Sequence, residues 1–297
     1  MNFNDERTQG YLLTALSFFM WGMFPLFFKL YDKDVGSYEI LIHRIIWSVV
    51  FLGFFITFRK ELGQILEILK DKRSRNTLFL SGLMISANWW IYVVAVSHDQ
   101  ILQASLGQFL MPLISMGLGA LVLKEPLSRA LKVAISIVFI AVFIQVYALG
   151  EFPYIALILG FTFGFYGLIR KRAKIAAVAG IFIEALLLLP LSLAYLFYLQ
   201  ANGQNHFGIN ATGVLMIFSG VITVVPLVLF NIGTARINLT SVGFMQYIIP
   251  TMSIGFGVYF GEELGVAKIL SFILIWIAIM IVTVDGLRQK RVKNAKR

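Results

Sequence analysis

The chain has no cysteine, only three histidines among its 297 residues, and only fifteen acidic side chains. The missing cysteine excludes disulfides and thiolate metal sites, and says nothing of compartment. With so few acids and imidazoles there is no carboxylate-rich metal cluster, and no G-x-S-x-G, H-E-x-x-H or Walker A motif occurs. The expectation is a protein that is not an enzyme and needs neither cofactor nor metal. Charge of either sign is scarce: 13% of residues are charged, 59% are hydrophobic, and the mean hydropathy is +0.84. Soluble domains carry about 25% charged residues, so most of this surface is built for lipid.

What is present falls into apolar runs. Ten are about the length needed to cross a bilayer: residues 10–30, 38–57, 76–96, 101–123, 128–149, 153–169, 176–199, 212–235, 240–261 and 265–285. The first is expected to be a retained span, since no small-residue cleavage site follows it. The net charge of +10 lies in short loops between runs, which fits headgroups and topology better than nucleic acid. One set of loop sides holds Arg59, Lys60, Lys70, Lys72, Arg73, Arg75, Lys124, Arg129, Lys132, Arg170, Lys171, Arg172, Lys174, Arg236 and the basic tail. The other holds Lys29, Lys33 and Lys268. This bias places both termini in the cytoplasm, in the inner membrane, and agrees with an even number of spans.

One phrase is written twice. Gln108, Pro112, Ser115, Gly117, Gly119 and Glu125 recur 138 positions on as Gln246, Pro250, Ser253, Gly255, Gly257 and Glu263. The copies fall in the fourth and ninth runs, an odd number of crossings apart, so the second is inverted. Weaker echoes pair Trp21–Gly22 with Phe163–Gly164 and Phe28–Lys29 with Arg170–Lys171. The expected fold class is an all-α polytopic membrane protein, ten transmembrane helices in an inverted five-plus-five repeat. Residues 1–150 form the first repeat, and residues 151–297 the second with its tail. Shared helix packing by common descent is the plainer alternative.

Ionisable and polar groups inside the spans are the candidates for function, because such groups are expensive in a membrane. Arg44 stands about 9 Å below the outer surface at 1.5 Å per residue, beside His43. It is either an anchor for a carboxylate or an interfacial arginine reaching for headgroups. Glu184, about 12 Å from the inner end of its span, approximates Arg44's mate in the repeat. It is expected to be a proton-coupling carboxylate or a helix–helix contact. Asn88, Trp89 and Tyr92 set an amide among rings, which suits a small, partly apolar solute. Gln108, Gln246 and Tyr247 are further binding candidates, with interhelical bonding as the alternative. Pro112 and Pro250 are hinges or static kinks. The paired glycines, including Gly117, Gly119, Gly160, Gly164 and Gly255, are expected to serve close packing.

The chain resembles the drug/metabolite transporter superfamily, EamA type, RarD branch. The resemblance rests on Glu39-Ile-Leu-Ile-His43-Arg44-Ile-Ile-Trp47-Ser48, Asn88-Trp89, Ala104-Ser105-Leu106-Gly107, Phe165-Tyr166-Gly167-Leu168-Ile169-Arg170-Lys171, Ile183-Glu184 and Gln246-Tyr247-Ile248-Ile249-Pro250-Thr251. It implies an inner-membrane carrier with a central cavity. The chain departs from the branch at Gln103, Gln108 and Met111, where glutamate, tyrosine and asparagine are usual. The expected function is secondary, alternating-access export of a small organic metabolite or drug, with protons as a candidate coupling ion. An uncoupled facilitator or importer, a membrane sensor and an intramembrane enzyme are the alternatives. Expected partners are the small-molecule substrate and the bilayer; a homodimer is admitted, and oligomeric state stays open.

Overall fold

The computed structural model describes residues 5–32, 34–98, 100–259 and 265–295; the expectations for Lys33, Gly261, Glu263, Lys296 and Arg297 fall outside them. Among the described residues the chain is helical with no strand. Its elements are α1 (Glu6–Gly22), α2 (Phe24–Phe28), α3 (Ser37–Phe58), α4 (Leu62–Lys70), α5 (Lys72–Ser97), α6 (Ile101–Leu121) and α7 (Arg129–Leu149). They continue as α8 (Tyr154–Ala173), α9 (Ala177–Ala201), α10 (Ala211–Arg236), α11 (Leu239–Gln246), α12 (Ile248–Tyr259) and α13 (Val266–Ala295). Nine stretches among the described residues are long and apolar enough to span a membrane, and the fold is an all-α polytopic membrane fold. Phe54, Phe58, Phe139, Phe143, Leu191 and Phe197 stand exposed on its outside, where lipid would cover them.

Helix starts are fixed by short polar side chains that take the otherwise unpaired first-turn N–H groups. Asp5 accepts from Thr8, Asp71 from Ser74 at 2.9 Å, Ser128 from Leu131 at 3.1 Å and Asn210 from Gly213 at 2.7 Å. Helix ends divide by side. Lys60 (φ 57°), Lys124 (φ 53°) and Lys174 (φ 53°) take the left-handed conformation after α3, α6 and α8, whereas Gly150 (φ 75°) and Gly203 (φ 65°) take it after α7 and α9. Spans alternate in direction, so the lysines share one face of the bundle and the glycines the other. A left-handed non-glycine residue costs roughly 1–2 kcal/mol. On one face a cation stands where glycine would be the easier residue.

Several expectations are corrected here. The ninth run, 240–261, is not one helix: α11 ends at Gln246 and α12 starts at Ile248. Pro250 explains the break, because its ring clashes with the carbonyl four residues back, that of Gln246. Pro112, its counterpart, sits inside an unbroken α6, so the two prolines differ. The first run breaks likewise at Met23, with Pro25 just beyond. The basic linker 59–75 contains α4, whose Ile65 is buried beside Ile56, Leu78, Ala179 and Ile183. Of the glycines, Gly119, Gly160 and Gly164 do meet neighbours closely, but Gly117 and Gly255, counterparts in the repeat, face open space.

The dominant packing joins the two halves of the chain. Helix α6 packs on α8 and on α11, α1 on α10 and α12, α3 on α10 and α9, α5 on α8 and α9, and α7 on α13. With α11 and α12 taken together as the ninth run, moving each run five places along converts these pairs into one another: α1 on α10 becomes α8 on α5, α3 on α10 becomes α9 on α5, and α6 on α8 becomes α11–α12 on α1. Counterpart residues touch. Trp21 and Phe163 lie edge to face with ring centroids 6.1 Å apart. Tyr247 donates its hydroxyl hydrogen to the carbonyl of Phe109, 138 positions earlier, at 3.1 Å. Gly220 admits Trp47, since a Cβ there would lie 2.5 Å from that of Trp47. Gly220→Ala should therefore lower stability by about 1–3 kcal/mol, while Gly117→Ala, with room around it, should raise it by about 0.5–1 kcal/mol. Unfolding of the two purified variants in detergent checks the opposite signs.

Candidate functional site

Arg44 projects from the second turn of α3. Its Nε donates to Thr223 Oγ1 on α10 at 2.9 Å. The guanidinium carbon lies 5.3 Å from the Phe24 ring, 5.6 Å from Phe28 and 5.1 Å from Trp89. The break at Met23 and the short α2 bring Phe24 and Phe28 to this place. Tyr31 and Tyr92 stand within electrostatic reach. Arginine over aromatic faces gains from their quadrupoles, but no ring neutralises it. Among the described residues no carboxylate pairs with Arg44, and its two Nη groups have no acceptor. The side chain is half-buried and Tyr92 is 39% exposed, so the group is not sealed.

Asn88 is spoken for: its Nδ2 donates to Leu159 O at 2.8 Å and Thr162 Oγ1 at 3.0 Å, clamping α5 to α8. His43 points away from Arg44 and stacks on Phe207 at 4.9 Å and 24°, with both ring nitrogens buried and unpartnered. Gln246 is buried with Oε1 unpartnered, Gln108 is half-buried, and Tyr247 is fully enclosed. The structure thus gathers Arg44, Trp89 and Tyr92, and does not bring His43 or Tyr247 to them. Phe24, Phe28 and Thr223 were missed; the signal available was Pro25 after an apolar run, which breaks the helix and turns two rings inward.

Glu184 is paired with an arginine of the preceding helix. Arg170 Nη1 lies 3.6 Å from Glu184 Oε1, with side chains 2% and 4% exposed. The run ending at 169 is corrected to α8 ending at Ala173, so Arg170 is inside the protein rather than in a loop. Ser81 donates to Glu184 Oε1 at 2.5 Å and Tyr166 to Oε2 at 3.4 Å. Arg170 Nε donates to Asn231 Oδ1 at 2.7 Å, and Asn231 Nδ2 to the Tyr166 hydroxyl at 3.0 Å. These bonds offset part of the cost of burying the pair; Arg170 Nη1 faces Glu184 without a hydrogen bond of its own. Gly180, one turn before Glu184, leaves the space the guanidinium fills. The legible signal was the i,i+4 pairs Tyr166–Arg170 and Gly180–Glu184. Arg44 and Glu184 still do equivalent things: each sits on the second span of its half and bonds a hydroxyl on the third span of the other.

Two further carboxylates tie helix ends together. Glu125 accepts from Leu239 N at 2.7 Å, Thr240 N at 2.8 Å and Thr240 Oγ1 at 2.6 Å, so the end of α6 holds the start of α11. Gln103, where the branch has glutamate, donates to Glu151 Oε1 at 2.7 Å and accepts from Ile155 N at 3.0 Å. A glutamate there would oppose Glu151.

A model of the EamA-like transporter family matches the chain twice, over residues 8–147 and 153–284. The chain belongs to that family. Among relatives, the uncharacterized transporter YojE of Bacillus subtilis is 39% identical over 98% of each chain. Protein RarD of Streptomyces exfoliatus is 36% identical over 99% of this chain and 93% of its own. Protein RarD of Escherichia coli is 35% identical over 96% and 97%. One solved crystal structure superposes with a TM-score of 0.69 over 93% of this chain and 97% of its own, at 16% identity, a likeness of fold. The chain is a multi-pass membrane protein of the EamA-like transporter family, RarD branch.

The loop between α9 and α10 closes over α3 in this transporter. Glu39 accepts from the His206 backbone N–H at 2.7 Å and lies 2.8 Å from its Nδ1, while Asp34 lies 3.4 Å from Nε2. Phe207 then covers His43 and Trp47. Hydrogen bonding to Glu39, followed by the charges of Glu39 and Asp34, raises the His206 pKa. A raised folded-state pKa gives stabilisation that is complete below about pH 6.5, the free value, and lost as pH rises through the folded one. Hydrogen exchange of residues 202–210, corrected for intrinsic rate, should therefore accelerate above that pH in the wild type. In His206→Gln it should be fast at every pH.

Proposed function

We propose that the protein is a secondary transporter that exports a small organic solute carrying an anionic group and an apolar or aromatic body. The carrying observation is Arg44: a cation within the span region, ringed by Phe24, Phe28 and Trp89, with free Nη groups and no carboxylate partner among the described residues. A guanidinium presents paired N–H groups that match a carboxylate or phosphate bidentately. The collar rings and Tyr92 offer the apolar surface that solute pockets need. Asn88 and Tyr247 contribute by holding the helices that carry this group, through bonds between the halves, while His43, Gln108 and Gln246 stay candidate solute contacts.

In this proposal residues 1–150 and 151–297 are inverted repeats of five spans, and alternating access arises as they rock about the α6 and α11–α12 region near Pro112 and Pro250. The self-consistent pairing of spans, the contacts between counterpart residues and the double family match support it. Left-handed lysines on one face and glycines on the other support cytoplasmic termini in an inner membrane. Glu184 is the coupling group: a proton there would cancel the charge that holds Arg170 and loosen α5, α8, α9 and α10 together. An uncoupled facilitator is the second reading, favoured by the completeness of Glu184's partners.

Purified protein in liposomes, offered aromatic and aliphatic monocarboxylates with neutral amides of the same shape, tests both parts. Carboxylates should be moved and their amides not. Arg44→Gln should lower carboxylate flux by at least about tenfold, the low end for losing a buried charge-assisted hydrogen-bond pair, and Arg44→Lys should fall between. Equal flux in Arg44→Gln would overturn the anchor. Glu184→Gln should flatten the response of flux to a pH gradient; an unchanged response favours the uncoupled reading.

A further inference from the structure

A second site lies away from Arg44, on the lysine-bearing face. A cavity of about 610 Å³ opens between the first turns of α5 and the end of α8, lined by Arg73, Ser74, Thr77, Leu80, Ile169, Arg172, Lys174 and their neighbours. The residues sort by depth. Arg73, Ser74 and Thr77 occupy the first two turns of α5, and Leu80 the next, on the same stripe. Arg172 and Lys174 close α8, while Ile169 lies a turn deeper. The cations and hydroxyls therefore form the mouth, and the aliphatic side chains form the wall that runs toward the membrane interior. Both helices are spans, so this mouth is at headgroup level.

Charge is unbalanced there. Among the described residues none of Arg73, Arg172 or Lys174 is in an ion pair. Arg172 donates Nη2 to Val122 O at 3.1 Å, which holds the guanidinium at the mouth with its other N–H groups open. Asp71, beside Arg73, offsets part of that one charge while capping α5 through the Ser74 N–H, which leaves Arg172 and Lys174 without an acid among the described residues. The left-handed backbone of Lys174 turns the chain so that α9 can start at Ala177, and keeps this cation at the rim at a conformational cost.

We infer that this cavity is a binding site for the phosphodiester headgroup of an anionic phospholipid, with an acyl chain against Leu80, Ile169 and Ile175. A phosphate supplies the negative charge and acceptor oxygens that three cations and two hydroxyls can meet. The apolar wall distinguishes a lipid from a free phosphate ester, which has nothing to place on it. Bound there, the lipid would staple α5 to α8, the pair that also carries Ser81, Arg170 and the Asn88 clamp.

Native mass spectrometry of the full chain, released from micelles with equal phosphatidylglycerol and phosphatidylcholine, tests this. Phosphatidylglycerol adducts should dominate. Arg172→Gln with Lys174→Gln should weaken that retention by about tenfold or more, and Lys60→Gln, a cation outside the cavity, should leave it intact. Ala173→Leu, which fills the cavity without removing charge, should also lose the adduct and stands in if the double variant does not fold. Equal retention of the two lipids by the wild type overturns the site, as does undiminished preference in the double or the filling variant. Glycerol phosphate that displaces phosphatidylglycerol at comparable concentration overturns the lipid and leaves a soluble phosphate ester as the occupant.

Discussion

Arg170 and Glu184 face each other across α8 and α9 with almost no exposure, and the surrounding bundle is arranged so that they can. An ion pair in a low-dielectric interior needs further hydrogen bonds around it to be held. Ser81 on α5 and Tyr166 on α8 donate to Glu184, and Asn231 on α10 accepts from Arg170 Nε, while Arg170 Nη1 has only the charge of Glu184 beside it. The network therefore joins one helix of the first half to three of the second, and fixes their depth and rotation. Loss of one charge would leave the other stranded. This makes the pair a fixed point of the resting bundle and, by the same physics, a place where a proton would have large consequences.

Around that point the two halves interlock and do not stand side by side as separate bodies. The firmest helix contacts run between halves, and several join a residue to its own counterpart, as Tyr247 and Phe109 do. Small residues make this possible where helices cross most closely, as Gly220 does under Trp47 and Gly160 beside Ile114. Lipid offers no hydrophobic gain for helix association, so such close approach and buried hydrogen bonds carry the packing. Arg44 is the exception: it bonds Thr223 and faces rings, but among the described residues no carboxylate pairs with it. The proposed anion site would account for that exception.

Much of this was legible in the sequence, and the reasons for the rest are physical. Apolar runs mark spans because lipid tolerates no unpaired backbone, and helices satisfy it locally. The Gln-Pro-Ser-Gly-Gly-Glu phrase points to a duplication because uncommon residue types recur at one spacing in two apolar runs, and the family match falls on the chain twice. Arg44, Trp89 and Tyr92 were recognisable as candidates because charge and aromatic edges are costly or directional at those depths. Arg170 was misplaced, because a basic residue at the end of an apolar run looks like a loop until a carboxylate is known to face it. Asn88 looked free for a solute because nothing in its own helix reveals the Leu159 carbonyl across the gap.

By itself the sequence determined the helical class, the lipid solvent, the duplication and the excess of basic residues on one side, since each follows from composition or spacing along a single chain. Only the tertiary structure decided which charges are paired and which are not. Arg44 and Arg170 are both arginines in spanning helices, and neither helix alone shows whether its charge is paired. One meets Glu184 and closes a network; the other meets rings and stays open. The difference lies in what a neighbouring helix presents within a few ångströms, and in a bundle those neighbours come from the other half of the chain.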